Sequence, residues 1–103
     1  MNKISFEDRL RTYTNALVAY GETKQMIVAL EELSECQKEI CKFLRGNGNT
    51  GNLAEEIADA TIMLEQMRYI FGLNDLVCEK MDYKIRRLDE RLKNKQSKII
   101  STN

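Results

Sequence analysis

The chain has no histidine, no tryptophan and no proline among its 103 residues. Without histidine there is no Ser-His-Asp or Cys-His catalysis. Ferritin-like Glu-x-x-His di-iron sites and most zinc sites are excluded with it. Any chemistry must come from carboxylates, basic groups, hydroxyls and a hard metal ion. Cysteine is scarce: Cys36, Cys41 and Cys78 are odd in number, contain no Cys-x-x-Cys and suggest no disulfide framework. They are expected to be small buried or half-buried thiols in a reducing compartment. No apolar run approaches the roughly 20 residues needed to span a bilayer, so no membrane partner is expected. The opening MNKISFEDRL has no signal-peptide core. The expected location is cytoplasmic.

Sixteen basic and sixteen acidic residues cancel, giving a formal net charge of zero. A nucleic-acid-binding chain would carry a basic excess, so none is expected as a partner. The balance hides an asymmetry: acids concentrate in the middle and bases in the last third.

With proline absent and helix formers abundant, the chain reads as all-α. The first helix is expected from about Phe6 to Tyr20, with Ser5 as N-cap, Glu7 and Asp8 in its first turn and Gly21 closing it. The second spans about Lys24 to Arg45. Gly46 to Asn52 is the one clear loop. The third helix starts after Asn52, with Glu55 completing a capping box, and stops near Gly72. The fourth runs from after Asn74 to about Lys93. Residues 1–93 thus form one domain, and residues 94–103 a frayed tail. A domain this small often needs a partner chain to complete its core.

Two acidic clusters carry the chemistry. Glu31, Glu32 and Glu35 lie on the second helix, and Glu56 and Asp59 on the third. Spacings of three or four residues place side chains on one helix face. If the two helices pack antiparallel, four carboxylates converge, and such a group repels itself unless a cation lies between them. Mg²⁺ takes such oxygen ligands together with water and substrate phosphates. The competing reading is a solvated acidic face.

Helical wheels weigh the two readings. On the third helix Leu53, Ile57, Ala60, Leu64, Met67 and Phe71 form the main apolar stripe. Glu56 falls on its edge, and Asp59 lies beside Glu56 on a side also carrying Met63 and Ile70. An acid at the border of a core stripe is costly without a partner. On the second helix Met26, Leu30, Leu33, Ile40 and Leu44 form the stripe. Val28 and Phe43 share the side of Glu32 and Glu35, which suggests cover on two sides.

The fourth helix adds a basic ridge. Lys80, Lys84, Arg87 and Arg91 fall within roughly one sixth of a turn, beside an apolar stripe of Val77, Met81, Ile85, Leu88 and Leu92. Lys80, Lys84 and Arg87 as a group suit triphosphate oxygens. Pairing with nearby acids is the alternative, preferred for Arg91.

Glu31-Glu32-x-x-Glu35, then Glu56-x-x-Asp59 after twenty intervening residues, resembles the paired acidic motif of the MazG-like all-α nucleoside triphosphate pyrophosphohydrolases. The likeness covers about Thr23 to Arg87. It implies a four-helix bundle completed by dimerisation, as a homodimer or dimer of dimers. It also implies Mg²⁺-dependent (or Mn²⁺-dependent) cleavage of a (d)NTP to the (d)NMP and pyrophosphate, in nucleotide-pool housecleaning. Glu32, Glu35, Glu56 and Asp59 would be metal ligands, and Glu31 a further acid. Lys80, Lys84 and Arg87 would contact phosphates. With no histidine available, Glu31 or Glu35 is the candidate general base. Tyr13, Tyr20 and Gln25 are placed either to stack on or hydrogen-bond a nucleobase, or to serve packing and a dimer interface. The alternatives are a phosphoribosyl-ATP pyrophosphohydrolase-like enzyme and a non-catalytic helical interaction module.

Overall fold

A computed structural model describes residues 2–101, with side chains described for residues 2–98. Its described residues form four helices and no strand: α1 Phe6–Tyr20, α2 Glu22–Leu44, α3 Thr50–Ile70 and α4 Asn74–Ser101. The chain divides into two compact units, Met1–Phe71 and Gly72–Asn103.

The first helix starts as its sequence dictates. Ser5 is extended, and its hydroxyl accepts the Asp8 N–H at 3.1 Å. Gly21 (φ 86°, ψ 161°) joins α1 to α2 with almost no linker. That backbone region is essentially reserved for glycine. A Cβ there would meet nothing within 4 Å, so the cost of one is purely conformational. Gly21→Ala should therefore destabilise the protein by about 1–3 kcal/mol, read by urea denaturation. No change would mean that the joint relaxes freely.

The α2–α3 loop is shorter than expected. Asn49, not Asn52, caps α3: its Oδ1 accepts the Asn52 N–H at 3.1 Å. An extended Asn three residues ahead of a free N–H completes the cap, and Thr50, Gly51 and Asn52 join the first turn. At the other end of the chain, α4 passes Lys93, the expected end of the fourth helix, and continues to Ser101. No glycine or proline interrupts that stretch, and Lys93 pairs with Asp89 at 3.0 Å. Thr102 and Asn103 of the expected tail lie outside the described residues.

In the first unit α2 and α3 form an antiparallel hairpin. Their seam is not the expected pair of apolar stripes. On α2 the covered positions include Gln25, Val28, Ala29, Glu32, Cys36 and Glu39; on α3 they include Leu53, Glu56, Ala60, Met63, Gln66, Met67 and Ile70. Each set follows three- and four-residue steps, the spacing of a helix–helix seam. Ala29 and Ala60 are small enough for close approach. Met26, Leu30, Leu33, Ile40 and Leu44, expected in the core, stay exposed, as do Ile57 and Leu64. Helical period alone finds the apolar stripe of a helix but not which stripe its neighbour within the same chain covers.

The N-terminal helix is fastened to the C-terminal half of α3. Glu65 receives Arg9 at 3.2 Å and the Tyr13 hydroxyl at 3.3 Å. The Tyr69 ring lies 6.3 Å from Phe6 and 6.4 Å from Tyr13. Tyr13 is buried, and its ring and hydroxyl pack against α3. In the second unit Met81, Ile85, Leu88 and Leu92 of α4, expected to be buried, are exposed. Cys36 and Cys41 are half-buried, but Cys78 is exposed, against the expectation for that thiol. No helix is long and apolar enough to cross a membrane.

Candidate metal centre

The α2–α3 seam carries acids where a helical hairpin ordinarily carries leucines. Glu32 stands on α2, with Glu56 and Asp59 one turn apart on α3. Each of the three offers a carboxylate oxygen, and these oxygens lie within 4.8 Å of one another. Glu32 and Glu56 are half-buried and Asp59 is exposed, so the group opens to solvent on the Asp59 side.

The electrostatics follow from the packing. Partial burial pushes the Glu32 carboxyl up, and the charges of Asp59, Glu35 and Glu31 push it further. A hydrogen-bonding contact with Asp59 acts in the same direction. Burial also raises Glu56, followed by Asp59, Glu32, Glu35 and Glu39. The Oε2 of Glu56 is buried with no hydrogen-bond partner. Among the described residues none of the ion pairs involves Glu32, Glu56 or Asp59. A buried carboxylate oxygen without a donor is costly, and three mutually repelling carboxylates multiply that cost. The donors are all hard oxygens, a set suited to Mg²⁺ or Mn²⁺, so the residues present fit a hard divalent cation.

The other predicted acids lie around this group. Glu35 is exposed and outside the tight triple, but its charge reaches both Glu32 and Glu56. Glu31 is exposed and flanks Glu32. Glu39 is a participant that sequence reasoning missed. It is only 7% exposed, its charge acts on Glu56, and it pairs with Lys42 at 3.5 Å. The signal was available, since Glu39 lies four residues after Glu35 and seven after Glu32, on the same helical face.

Beyond Glu31 the surface is hollow. A cavity of about 610 Å³ is lined by Tyr20, Thr23, Lys24, Ile27, Val28 and Glu31. It shares Tyr20, Lys24 and Val28 with a neighbouring cavity of about 410 Å³ that is completed by Ala16, Gln25 and Gln66. The proposed base contacts Tyr20 and Gln25 are thus brought together, with the Lys24 ammonium 5.9 Å from the Tyr20 ring centre. Lys80, Lys84 and Arg87 belong to α4 in the second unit. The two lysines are exposed there, and the half-buried Arg87 lies 5.8 Å from the Tyr83 ring centre.

No protein-family model, characterised protein or solved structure matches the chain.

The raised carboxyls have a consequence for stability. A carboxyl whose folded pKa lies above its unfolded value binds protons more tightly when folded. The stability it contributes is present below the unfolded pKa and is lost as pH rises through the folded one. In EDTA, the contribution of Glu32 and Glu56 should therefore fall as pH rises from about 4 towards neutrality. A divalent cation held by these carboxylates would bind their ionised form, so the gap between melting temperatures in Mg²⁺ and in EDTA should widen with pH. Thermal melts in paired buffers measure this; a gap independent of pH would contradict it.

Proposed function

We propose that this chain is a Mg²⁺-dependent nucleoside triphosphate pyrophosphohydrolase of the MazG-like kind, cleaving a (d)NTP to the (d)NMP and pyrophosphate. The observation that carries the reading is the buried, unpartnered Glu56 Oε2 within the Glu32–Glu56–Asp59 triple. A solvated acidic face would turn its carboxylates to water, whereas two of these three are drawn into a helix seam where a cation would offset their repulsion.

The residues take the following roles. Glu32, Glu56 and Asp59 hold the ion, with Glu35 as the fourth acid of the group. A bound divalent cation supplies charge neutralisation at the phosphates and acidifies water. Glu31 and Glu35, outside the tight triple and exposed, are the proposed bases for the attacking water. Glu39 adds negative charge behind Glu56, strengthening the demand for a cation. Lys80, Lys84 and Arg87 of α4 have the charge that phosphate oxygens call for, and the resemblance is what proposes them as phosphate contacts. Nothing beyond positioning and charge stabilisation is demanded of the protein in such a transfer.

The same proposal includes a second copy of the chain. The exposed apolar row of α2, with Leu30 at 68% exposure, is the kind of surface that a monomer seldom leaves in water. A homodimer, or a dimer of such dimers, is the assembly proposed.

The test is pyrophosphate release from each common dNTP and NTP, in Mg²⁺ and in EDTA. Metal-dependent release from at least one nucleotide is expected. Absence of release with every divalent metal would remove the reading and leave phosphoribosyl-ATP as the next substrate to try.

A further inference from the structure

The apolar side of α4 is ordered by more than hydropathy. Met81, Ile85, Leu88 and Leu92 are all exposed, and Cys78 before them is exposed too. From Cys78 to Lys95 these positions step by three, four, three, four and three residues. That is the 3.5-residue repeat of a coiled-coil seam. Cys78, Ile85 and Leu92 take the first seam position of each heptad, and Met81, Leu88 and Lys95 the second.

The charges beside this row are sorted by sign. Asp75, Asp82 and Asp89 lie on one flank, and Lys84 and Arg91 on the other. Positions away from the row, such as Glu79, Lys80, Arg86 and Glu90, mix both signs. A parallel partner in the same register sets the basic flank of each helix against the acidic flank of the other. Lys84 then meets the partner's Asp89, the pairing that flanking charges make in parallel coiled coils. An antiparallel partner would set aspartate against aspartate and lysine against arginine, which repel. Asp89 also receives Lys93 of its own helix at 3.0 Å, and a carboxylate can accept from both. The exposed row of α2 does not complement this pattern. Its flanking positions, Ile27, Ala29, Ser34, Cys36, Cys41 and Phe43, carry no formal charge. Charge complementarity thus selects another α4.

We infer that α4 pairs with α4 of a second copy of this chain as a parallel, in-register, two-stranded coiled coil. Ile85 at a first seam position and Leu88 at a second are the combination that favours two parallel strands. Lys95 ends the row, with its stem along the seam and its ammonium in water. Lys84 serves this seam, and of the basic ridge Lys80 and Arg87 fall off it. The row spans under three heptads and ends in lysine, so it pairs chains at submillimolar rather than micromolar concentration. It depends neither on the nucleotide reading nor on the α2 row. Where both faces are covered, the α4 pair joins two α2-paired dimers.

Cys78 supplies the test. Parallel, in-register pairing sets it opposite the partner's Cys78. Antiparallel pairing centred on the same row separates the two by about 25 Å, beyond the reach of a disulfide. The full-length chain at submillimolar concentration is treated with glutathione disulfide. By thiol exchange this oxidant takes two electrons and two protons from a pair of thiols, leaving one protein disulfide and two glutathiones. A Cys78–Cys78 disulfide, identified by peptide mass spectrometry, is expected. It should form equally in Leu30→Glu, whose α2 row is disabled. Lys84→Glu sets like charges across the seam twice and should slow the linkage by about fivefold or more. Adding Asp89→Lys to that variant restores opposite charges and should restore the parent's rate. Both positions are exposed, and circular dichroism checks that helix content is kept. A parent chain that forms no Cys78 linkage would overturn the inference. So would a rate indifferent to Lys84→Glu, or one that the double reversal fails to restore. Loss of the linkage in Leu30→Glu would assign the meeting of copies to the α2 row and overturn it as well.

Discussion

Glu56→Gln is expected to lower Mg²⁺-dependent pyrophosphate release by on the order of 10³-fold, with fold and secondary structure unchanged. The substitution keeps the side chain's size and removes the charge. What is lost is a ligand in the most enclosed part of the triple, where Oε2 has no protein partner. A catalytic metal contributes several kcal/mol of charge stabilisation, and each 1.36 kcal/mol is tenfold in rate. A second measurement guards against a trivial loss of folding. Glu56 is pushed up by burial and by the charges of Asp59, Glu32, Glu35 and Glu39. Neutralising it removes that repulsion, so in EDTA at neutral pH the variant should melt at a higher temperature than the parent. It should also lose most of the parent's stabilisation by Mg²⁺. A variant that is more stable without metal, indifferent to metal and inactive is the signature of a ligand. A variant that melts lower in EDTA would identify Glu56 as a structural carboxylate and sink the metal centre.

Much of this arrangement is legible in the residues. Helix content follows from composition and the absence of proline, and the Ser5 and Gly21 boundaries of α1 follow from local chemistry. The juxtaposition of Glu32 with Glu56 and Asp59 follows from helical spacing and one short loop. What is not legible is the choice of seam. Each of α2 and α3 has two faces with covered-helix spacing, and hydropathy favours the face with more leucine and isoleucine. The hairpin instead closes on Ala29 and Ala60, whose small side chains let the helices approach. The polar neighbours Gln25, Glu39 and Gln66 are buried with them. Hydropathy counts a buried Gln or Glu as an error, whereas here these residues line the closed face of the hairpin. The Asn49 cap escapes sequence reading for a related reason. Asn47, Asn49 and Asn52 are equivalent by type, and only the backbone shows which one is extended three residues ahead of a free N–H.

Leu30→Glu is expected to convert the proposed dimer to a monomer at micromolar concentration. Since the α2–α3 seam uses the small and acidic face of α2, the row of Met26, Leu30, Leu33, Ile40 and Leu44 faces outward at spacings of three, four and seven residues. That periodicity forms a continuous stripe along the helix, the geometry that a second helix covers. Leu30 is 68% exposed, second in the row to Leu44 at its C-terminal end, so most of its apolar surface remains available to a partner. Covering one leucine contributes about 1.5–3 kcal/mol, and a twofold interface contains two of them. Placing a glutamate there instead forfeits that contribution and buries a charge at further cost. The combined loss amounts to at least about 10³-fold in the dissociation constant. Light scattering and sedimentation across a concentration series measure it. Because Leu30 makes little of the single-chain core, the variant's helix content should persist while its mass halves. A parent chain that is already monomeric at high concentration would remove the dimer from the proposal. The outward row would then have to be explained by a partner of another kind, and the metal centre would stand on the single hairpin alone.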